Sequence, residues 1–527
     1  MEVTLTIDDA LYNAGLLGFY RALYHNKIHV DCNKDTITFK SEDLKHFTSY
    51  YLDYLIYRYE HGAPFTRLIS KIDNLLKKDR KEEKFKEFYD NTVKLLTDSL
   101  KKNSYVSGYE IIANRGQKYN FSNAANLIKT QHDIDMALQL MSELKDKLLQ
   151  YKDVFLLKDI IYTRIQHFWG DVAFLNRQQN KEEFFQAYER SFTSKALEFE
   201  SKDIAKKAKE CCHCFRRIPS GLESAMSWIN DTGVDIVRKT SNYWNYKVDS
   251  YLCPFCNIVY SCVPLGFTAK GNEGIFINQN SSFEDINRSY NTEMIRADDG
   301  EDLFYQVIRK TLAQTLHSEA RKRLSNVQVI RRNSGRYRIS IISKDQIERL
   351  SNCSKSLEGL SSAFLKVDKQ FINLFDKVLL DVLSGKNLYP LLHVILKNSV
   401  DGYANIRAAR NILSVQTAMF AEGDGKMKSK ANYAMMKRGE DLRKEMFKVE
   451  SNPNKIKTLT YGLLNSLKQS DSASFMDLIF RQYIAVKGAV PSEFLNVIGD
   501  DQAFKDLGYS FLLGLIGGNQ IEQKEDE

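Results

Sequence analysis

Val3, Leu5 and Ile7 alternate with polar residues, so the chain opens on a short half-buried strand. The next apolar run, NAGLLGF (residues 13–19), reads as a helix with Gly15 and Gly18 on one face. Each glycine costs a helix about 1 kcal/mol, so a pair predicts either close approach of another backbone or a loosely packed helix. Between residues 80 and 101, Phe85, Phe88, Tyr89, Val93, Leu96 and Leu100 recur at helical spacing among lysines and glutamates. Residues 102–126 break that rhythm and predict a strand, a loop and a restarted helix; 127–200 return to helix.

From 210 to 345 the pattern is mixed. Val327 and Val329, then Tyr337, Ile339 and Ile341, alternate on either side of Asn-Ser-Gly, which predicts a β-hairpin. Beyond about 350 the chain reads as helix. Ile456, Leu459, Leu463 and Leu467 make one stripe, and Phe475, Leu478, Ile479, Tyr483 and Val486 another. The loop AEGDGK (421–426) sets off a terminal helical bundle, and the polar tail GGNQIEQKEDE reads as disordered. There is no repeat at a fixed period.

Composition narrows this picture. A chain of 527 residues allows about three or four domains. Hydrophobic content of 43% supports real cores, and only 7 prolines favour long helices. The net charge of +8 permits a nucleic-acid partner without requiring one. The N-terminus lacks a basic segment ahead of its apolar run, which makes it a poor signal peptide, and no apolar run reaches the ~18 residues of a membrane span. A cytoplasmic protein with no membrane partner is expected, and there clustered cysteines bind metal more often than they pair.

Eight cysteines are present, and their spacing carries the strongest chemistry. Cys211 and Cys214 in ECCHCFRR form one C-x-x-C pair; Cys253 and Cys256 in LCPFC form another, 38 residues on. Four thiolates on two knuckles suit tetrahedral zinc, one per chain, and four sulfur ligands leave no position open for catalysis. Buried or redox cysteines are the competing reading. Cys212 and His213 leave the ligands of the first knuckle less fixed, and Cys262 reads as a packing residue. The fold expected is predominantly α, with a mixed α/β zinc-containing N-terminal region and a C-terminal helical bundle. Domains are expected at 1–205, 206–345, 346–420 and 421–527.

Catalytic signatures are missing from the sequence. GFTAKGN (266–272) places Asn272 where a P-loop needs lysine, and there is no His-Glu-x-x-His, Gly-x-Ser-x-Gly or Gly-x-Gly-x-x-Gly. The zinc-deaminase pattern lacks its His-x-Glu. QHDID (131–135) reads as polar residues at a helix start, not as a metal phosphohydrolase site. The balance favours binding over catalysis.

NAGLLGF, the paired knuckles CCHC and CPFC, and VYSCVPLGFT directly after them resemble the CXXC–CXXC family of CRISPR-associated proteins, large subunits of type I-B Cascade complexes. The resemblance implies a non-enzymatic subunit of a guide-RNA surveillance complex. Its implied partners are the guide RNA 5′ handle, the handle-binding and backbone Cascade subunits, target duplex DNA and its displaced strand, and a recruited nuclease-helicase. The implied task is to recognise the PAM, aid strand separation and stabilise the R-loop, while base pairing reads the remaining sequence. In similar systems the small subunit is translated from inside the same gene; Met427, or Met419, Met435 or Met436, offers such a start, against an ordinary packing role. A free-standing zinc-containing nucleic-acid-binding protein and a metal-dependent nuclease are the alternatives.

Three nucleic-acid contact regions are nominated on physical grounds. Asn114, Arg115, Gln117, Lys118, Tyr119 and Asn120 flank Gly116 in a loop able to reach phosphates and base edges, against the reading of an ordinary solvated loop. Arg331, Arg332, Arg336 and Arg338 surround the hairpin turn, where they would grip phosphates or guard a sheet edge. Residues 425–470 hold eleven lysines and arginines against four acids, a net +7. Lys437, Arg438, Arg443, Lys444, Lys455 and Lys457 are the named contacts there, either lining a polyanion groove or forming a solvated face.

Overall fold

In the computed structural model, residues 2–116, 118–229, 251–270, 273–279, 282–288, 327–333, 336–367, 370–400, 406–420, 425–449, 453–497 and 499–517 are described. They fall into two compact units that divide between Ile341 and Ile342. Residues on either side of 205 belong to the first unit, and those on either side of 420 to the second.

The first unit opens with β1 (Glu2–Thr6), whose buried Val3 and Leu5 pair opposite Phe39 and Ile37 of β3 (Thr36–Lys40), with β2 (Asp31–Cys32) on the far side of β3. Between β1 and β2 runs α1 (Ala10–His25), started by Asp9, whose carboxylate accepts from the Leu11 and Tyr12 amides. Residues Tyr12 to Phe19 of α1 are all buried, so this helix is the axis of the unit. Seven helices follow: α2 (Phe47–Tyr59), α3 (Pro64–Lys77), α4 (Phe85–Leu100), α5 (Asn103–Asn114), α6 (Phe121–Thr130), α7 (Ile134–Gln150) and α8 (Lys152–Thr163). The apolar stripe of α4 is inward at Phe85, Val93, Leu96 and Leu100.

Residues 103–114 are helix, not the strand expected there. Tyr105, Gly108, Ile111 and Ile112 are its buried positions, a helical period that the β-favouring Tyr, Val and Ile obscured. Burial decides the matter: the Tyr105 hydroxyl donates to the buried Asp159 carboxylate of α8 (2.7 Å), and Val154 of α8 lies where a side chain at Gly108 would begin. QHDID is a helix start, with Asp133 accepting from the Asp135 amide at the head of α7.

After α8 and a run of short helical segments between Ile165 and Ser201 come the short strands β4 (Lys209–Glu210), β5 (Arg217–Ile218), β6 (Ser224–Ala225) and β7 (Tyr251–Leu252), the helices α9 (Pro254–Ser261) and α10 (Val263–Gly266), and β8 (Thr268–Lys270), β9 (Glu273–Asn278), β10 (Val327–Asn333) and β11 (Arg336–Ile342). The last four form one sheet in the order β11-β10-β9-β8. The hairpin is therefore present, but β10 is an interior strand, because the fully buried Ile275, Phe276 and Ile277 of β9 supply its partner. The turn residues Ser334 and Gly335 lie outside the described residues.

The second unit contains α11 (Lys344–Asn352), the hairpin β12 (Phe364–Val367) and β13 (Gln370–Asn373), then α12 (Leu374–Leu383), α13 (Tyr389–Val400), α14 (Ile406–Phe420), α15 (Gly425–Val449), α16 (Pro453–Lys468), α17 (Ser472–Ala485) and α18 (Asp501–Ile516). The two expected stripes on α16 and α17 face inward at Leu459, Leu463, Leu467, Phe475, Ile479 and Tyr483. α15 and α18 cross backbone to backbone: a Cβ on Gly514 would stand 1.9 Å from the Met436 carbonyl oxygen, and one on Gly439 2.1 Å from that of Phe511. Met435 and Met436 are buried here, whereas Met427 is exposed. The loop 421–424 and the tail from 518 lie outside the described residues. Among the described residues no helix is long and apolar enough to cross a membrane.

Candidate metal centre

The first knuckle is the turn of a small hairpin. β4 and β5 pair antiparallel, the Cys211 amide donates to the Arg216 carbonyl (2.8 Å), and the Phe215 amide closes the turn onto the Cys211 carbonyl (3.0 Å). The second knuckle is the start of α9. Pro254 occupies the first helical position, where its missing N–H costs nothing, and the Cys256 amide points at the Cys253 sulfur (3.5 Å). A parallel bridge between Cys211 and Tyr251 joins the two, with the Cys212 amide donating to the Tyr251 carbonyl (2.8 Å).

The outcome is that Cys211, Cys214, Cys253 and Cys256 place their four sulfurs within 4.8 Å of one another. Zinc bound at about 2.3 Å per sulfur sets tetrahedral S···S edges of about 3.8 Å, and the Cys214–Cys253 edge is 3.5 Å. The donor set therefore fits the ion. Four thiols this close also resist joint ionisation. The neighbouring thiols of Cys214, Cys253 and Cys256 hold the Cys211 thiol far below its usual range, and that anion in turn pushes Cys253 and Cys256 up. A divalent cation removes the conflict by stabilising all four thiolates. Bound there, zinc supplies structural cross-linking of residues otherwise distant in sequence.

Cys212, His213 and Cys262 lie outside the four-sulfur cluster. Cys212 is exposed with its sulfur turned to Met226 Sδ (3.3 Å). His213 stacks on Tyr12 (ring centroids 3.6 Å apart), and its Nδ1 faces the carboxylates of Asp8 at 3.6 Å and Asp9 at 3.9 Å. Cys262 is fully buried beside Ser261, outside the sulfur cluster, in the packing role its apolar neighbours predict.

VPLGF explains itself through backbone accounting. Pro264 has no N–H to continue the helix, which breaks after Ser261, and the carbonyls at the ends of the two short helices take donors from elsewhere. Tyr51 Oη and Trp169 Nε1 donate to the Ser261 carbonyl (3.1 and 3.2 Å), Tyr59 Oη to that of Pro264 (2.6 Å), and Arg58 Nη2 to that of Phe267 (2.8 Å). The glycines of NAGLLGF and PLGF then interlock. A Cβ on Gly15 would meet the Val259 carbonyl oxygen at 2.3 Å, one on Gly18 that of Cys262 at 2.2 Å, and one on Gly266 that of Ala14 at 1.9 Å. Two motifs some 250 residues apart thus form a single structure, as the paired glycines of α1 predict.

Residues 204–268 match the family model Cas_CXXC_CXXC, described as CRISPR-associated protein. The matched segment holds both cysteine pairs, the helix break and Gly266, and it supports a CRISPR-associated protein of this kind. No curated protein and no solved structure matches the chain.

The nominated nucleic-acid contacts are dispersed. Arg115 is committed within the first unit, bridging Asp153 (2.8 Å) and Glu183 (2.7 Å). Asn120 caps α6 by accepting from the Asn123 amide, and Tyr119 sits edge-on to Phe121 (4.8 Å). Asn114 and Lys118 are not buried; Gln117 lies outside the described residues. Arg331 pairs with Glu273, and Arg332 is buried over the Phe168 ring (4.9 Å). Arg338 is exposed on the edge strand β11, and the Arg336 side chain lies outside the described residues. In the second unit Arg443 is buried over Phe447 (5.3 Å), Lys437 pairs with Glu440, and Arg438 lies 3.7 Å from Glu493. Lys444, Lys455 and Lys457 are exposed. Alternation and charge counting could not separate these groups, because the acids that engage Arg115 and Arg331 lie 38 to 68 residues away in sequence.

Proposed function

We propose that the chain is the non-catalytic large subunit of a type I-B guide-RNA surveillance complex. It recognises the PAM in duplex DNA, aids strand separation, stabilises the R-loop and recruits a nuclease-helicase. The observation that carries this reading is the CRISPR-associated match on 204–268 coinciding with a four-sulfur cage packed against α1. A cage with four protein ligands leaves no open coordination position, so its ion has a scaffolding task. Exposed cations at Lys118, Arg338 and Lys444 are suited to phosphate contacts. The partners are the guide RNA handle, the handle-binding and backbone subunits, the displaced strand and a small subunit made from the same gene.

Reconstitution tests this. The full chain, guide RNA and the other Cascade subunits should form an R-loop on a PAM-bearing duplex, and omission of this chain should abolish it. Lys118→Ala, Arg338→Ala and Lys444→Ala should each lower the slope of log affinity against log salt by about 1. An R-loop that forms equally well without the chain, or duplex cleavage by the chain alone in magnesium, overturns the proposal.

A further inference from the structure

Six non-glycine residues of the described chain have positive φ: Lys27, Asp171, Ala173, Phe215, Ser470 and Lys487. Five are small or polar. Phe215, at φ 59°, is the aromatic exception, and it is also 75% exposed. The knuckle turn creates the demand: the Phe215 amide closes onto the Cys211 carbonyl, which forces the residue after the second cysteine into the left-handed region. Glycine or asparagine fills that position without strain; a bulky side chain there crowds its own backbone. Burial gives no compensation, since this ring is in water. Neither the backbone strain nor the exposed ring is explained by the chain's own packing, which points to a contact outside its core.

Its surroundings indicate what. Residues 202–217 hold six lysines and arginines; Lys202 pairs with Glu198 (2.8 Å), Lys209 with Glu223 (3.0 Å), and Arg216 donates to the Thr4 carbonyl (2.6 Å), so Lys206 and Lys207 carry the exposed charge. Arg217 donates to the carbonyls of Ala205 and Lys206 (2.6 and 3.0 Å), which ties the exposed Lys206–Lys207 segment to the hairpin that carries Phe215. Asp8 and Asp9 are turned to His213 and the start of α1. A rigid aromatic ring beside a cationic segment is the pairing that recognises single-stranded nucleic acid, with the ring stacking on a base and the cations taking phosphates. A purely apolar protein partner would not need the lysines.

We propose that Phe215 is a base-stacking residue, held out by the first knuckle to contact single-stranded nucleic acid. The inference rests on the nucleic-acid reading above and assigns it a site of its own. Zinc supplies the stiffness: a ring fixed at the tip of a cross-linked turn loses little freedom on stacking.

The full zinc-loaded chain is titrated with fluorescently labelled oligo(dT) and oligo(U). Phe215→Ala and Phe215→Gly should weaken binding by roughly 5- to 150-fold, the range for losing one base stack, with the salt slope unchanged. Phe215→Trp should keep affinity, and the indole emission it adds should be quenched when oligonucleotide binds. Phe215→Gly should also raise the melting temperature slightly, by about 1–2 °C, because relief of the left-handed strain outweighs glycine's greater freedom in the unfolded chain; a structural role for the ring would move it the other way. Unchanged affinity in Phe215→Ala, beside salt-dependent binding by the wild-type chain, overturns the inference and leaves the nucleic-acid reading standing. A wild-type chain that binds no oligonucleotide at low salt overturns both. Lost stability and zinc in Phe215→Gly overturns the stacking role alone. So does an indole in the Phe215→Trp variant that is already shielded from acrylamide before nucleic acid is added.

Discussion

Gly266→Ala is the most exacting test of the interlock between α1 and the knuckle segment. The new methyl would stand 1.9 Å from the Ala14 carbonyl oxygen, 2.6 Å from its carbon and 3.0 Å from its Cα. All three are backbone atoms inside a buried helix, so no rotamer change relieves the clash. Ordinary contact begins near 3.4 Å, so the two backbones must separate by about 1.5 Å. The same movement opens the Gly15 contact on Val259 and the Gly18 contact on Cys262. Overpacking costs about 1–3 kcal/mol, and three linked contacts put this variant near the upper end. For a unit of this size that corresponds to a fall in melting temperature of roughly 4 °C, read by calorimetry or near-UV circular dichroism. Hydrogen exchange should rise along Ala14–Phe19 in the same variant. Gly62→Ala is the control: the nearest atom to its new methyl is Arg164 Nη2 at 4.0 Å, so its melting temperature should stay close to wild type. A Gly266→Ala protein that melts with wild type would refute the backbone-contact argument.

Natively purified protein should contain about one zinc per chain, and Cys214→Ser or Cys253→Ser should lose it together with several degrees of melting temperature; a zinc-free native preparation with unchanged melting would sink the metal centre. Burial pushes the Asp159 carboxyl up to about 6, partly offset by the Tyr105 hydroxyl and the Phe65 amide donating to it. Its folded value lies above its unfolded one, so the folded state binds more protons between about pH 4 and 6, and this group's contribution is lost as pH rises through that window. Raising this carboxyl from its ordinary value to about 6 is worth about 3 kcal/mol. Asp159→Asn keeps an acceptor oxygen for both donors and removes the buried charge. Its melting temperature should therefore gain on wild type as pH rises from about 4 to 7, and a constant difference across that range would contradict the assignment.

Much of this was legible along the chain because it depends on local chemistry. The C-x-x-C pairs, the helix-start acid Asp133, the stripes of α4, α16 and α17, and the glycines of α1 are each fixed by a short-range period or by one residue's stereochemistry. Sulfur spacing alone picked out the four cysteines that the fold brings within 4.8 Å of one another. Where the reading failed, it met burial. Residues 103–114 carry strand-favouring side chains, yet they coil because Asp159 and Val154 of α8 give Tyr105 and Gly108 partners on one helical face.

Tertiary structure alone decided which cations are engaged within the chain. Arg115, Arg331, Arg332 and Arg443 look like their exposed neighbours in sequence, and their engagement depends on acids, rings and burial that the fold brings to them. It also decided that Ser261, Pro264 and Phe267 offer carbonyls to Tyr51, Trp169, Tyr59 and Arg58, and that Phe215 stands in the left-handed region with its ring in water. Local patterns determine which backbone and side-chain groups need a partner; the identity of each partner is settled only when the chain closes on itself and water is excluded.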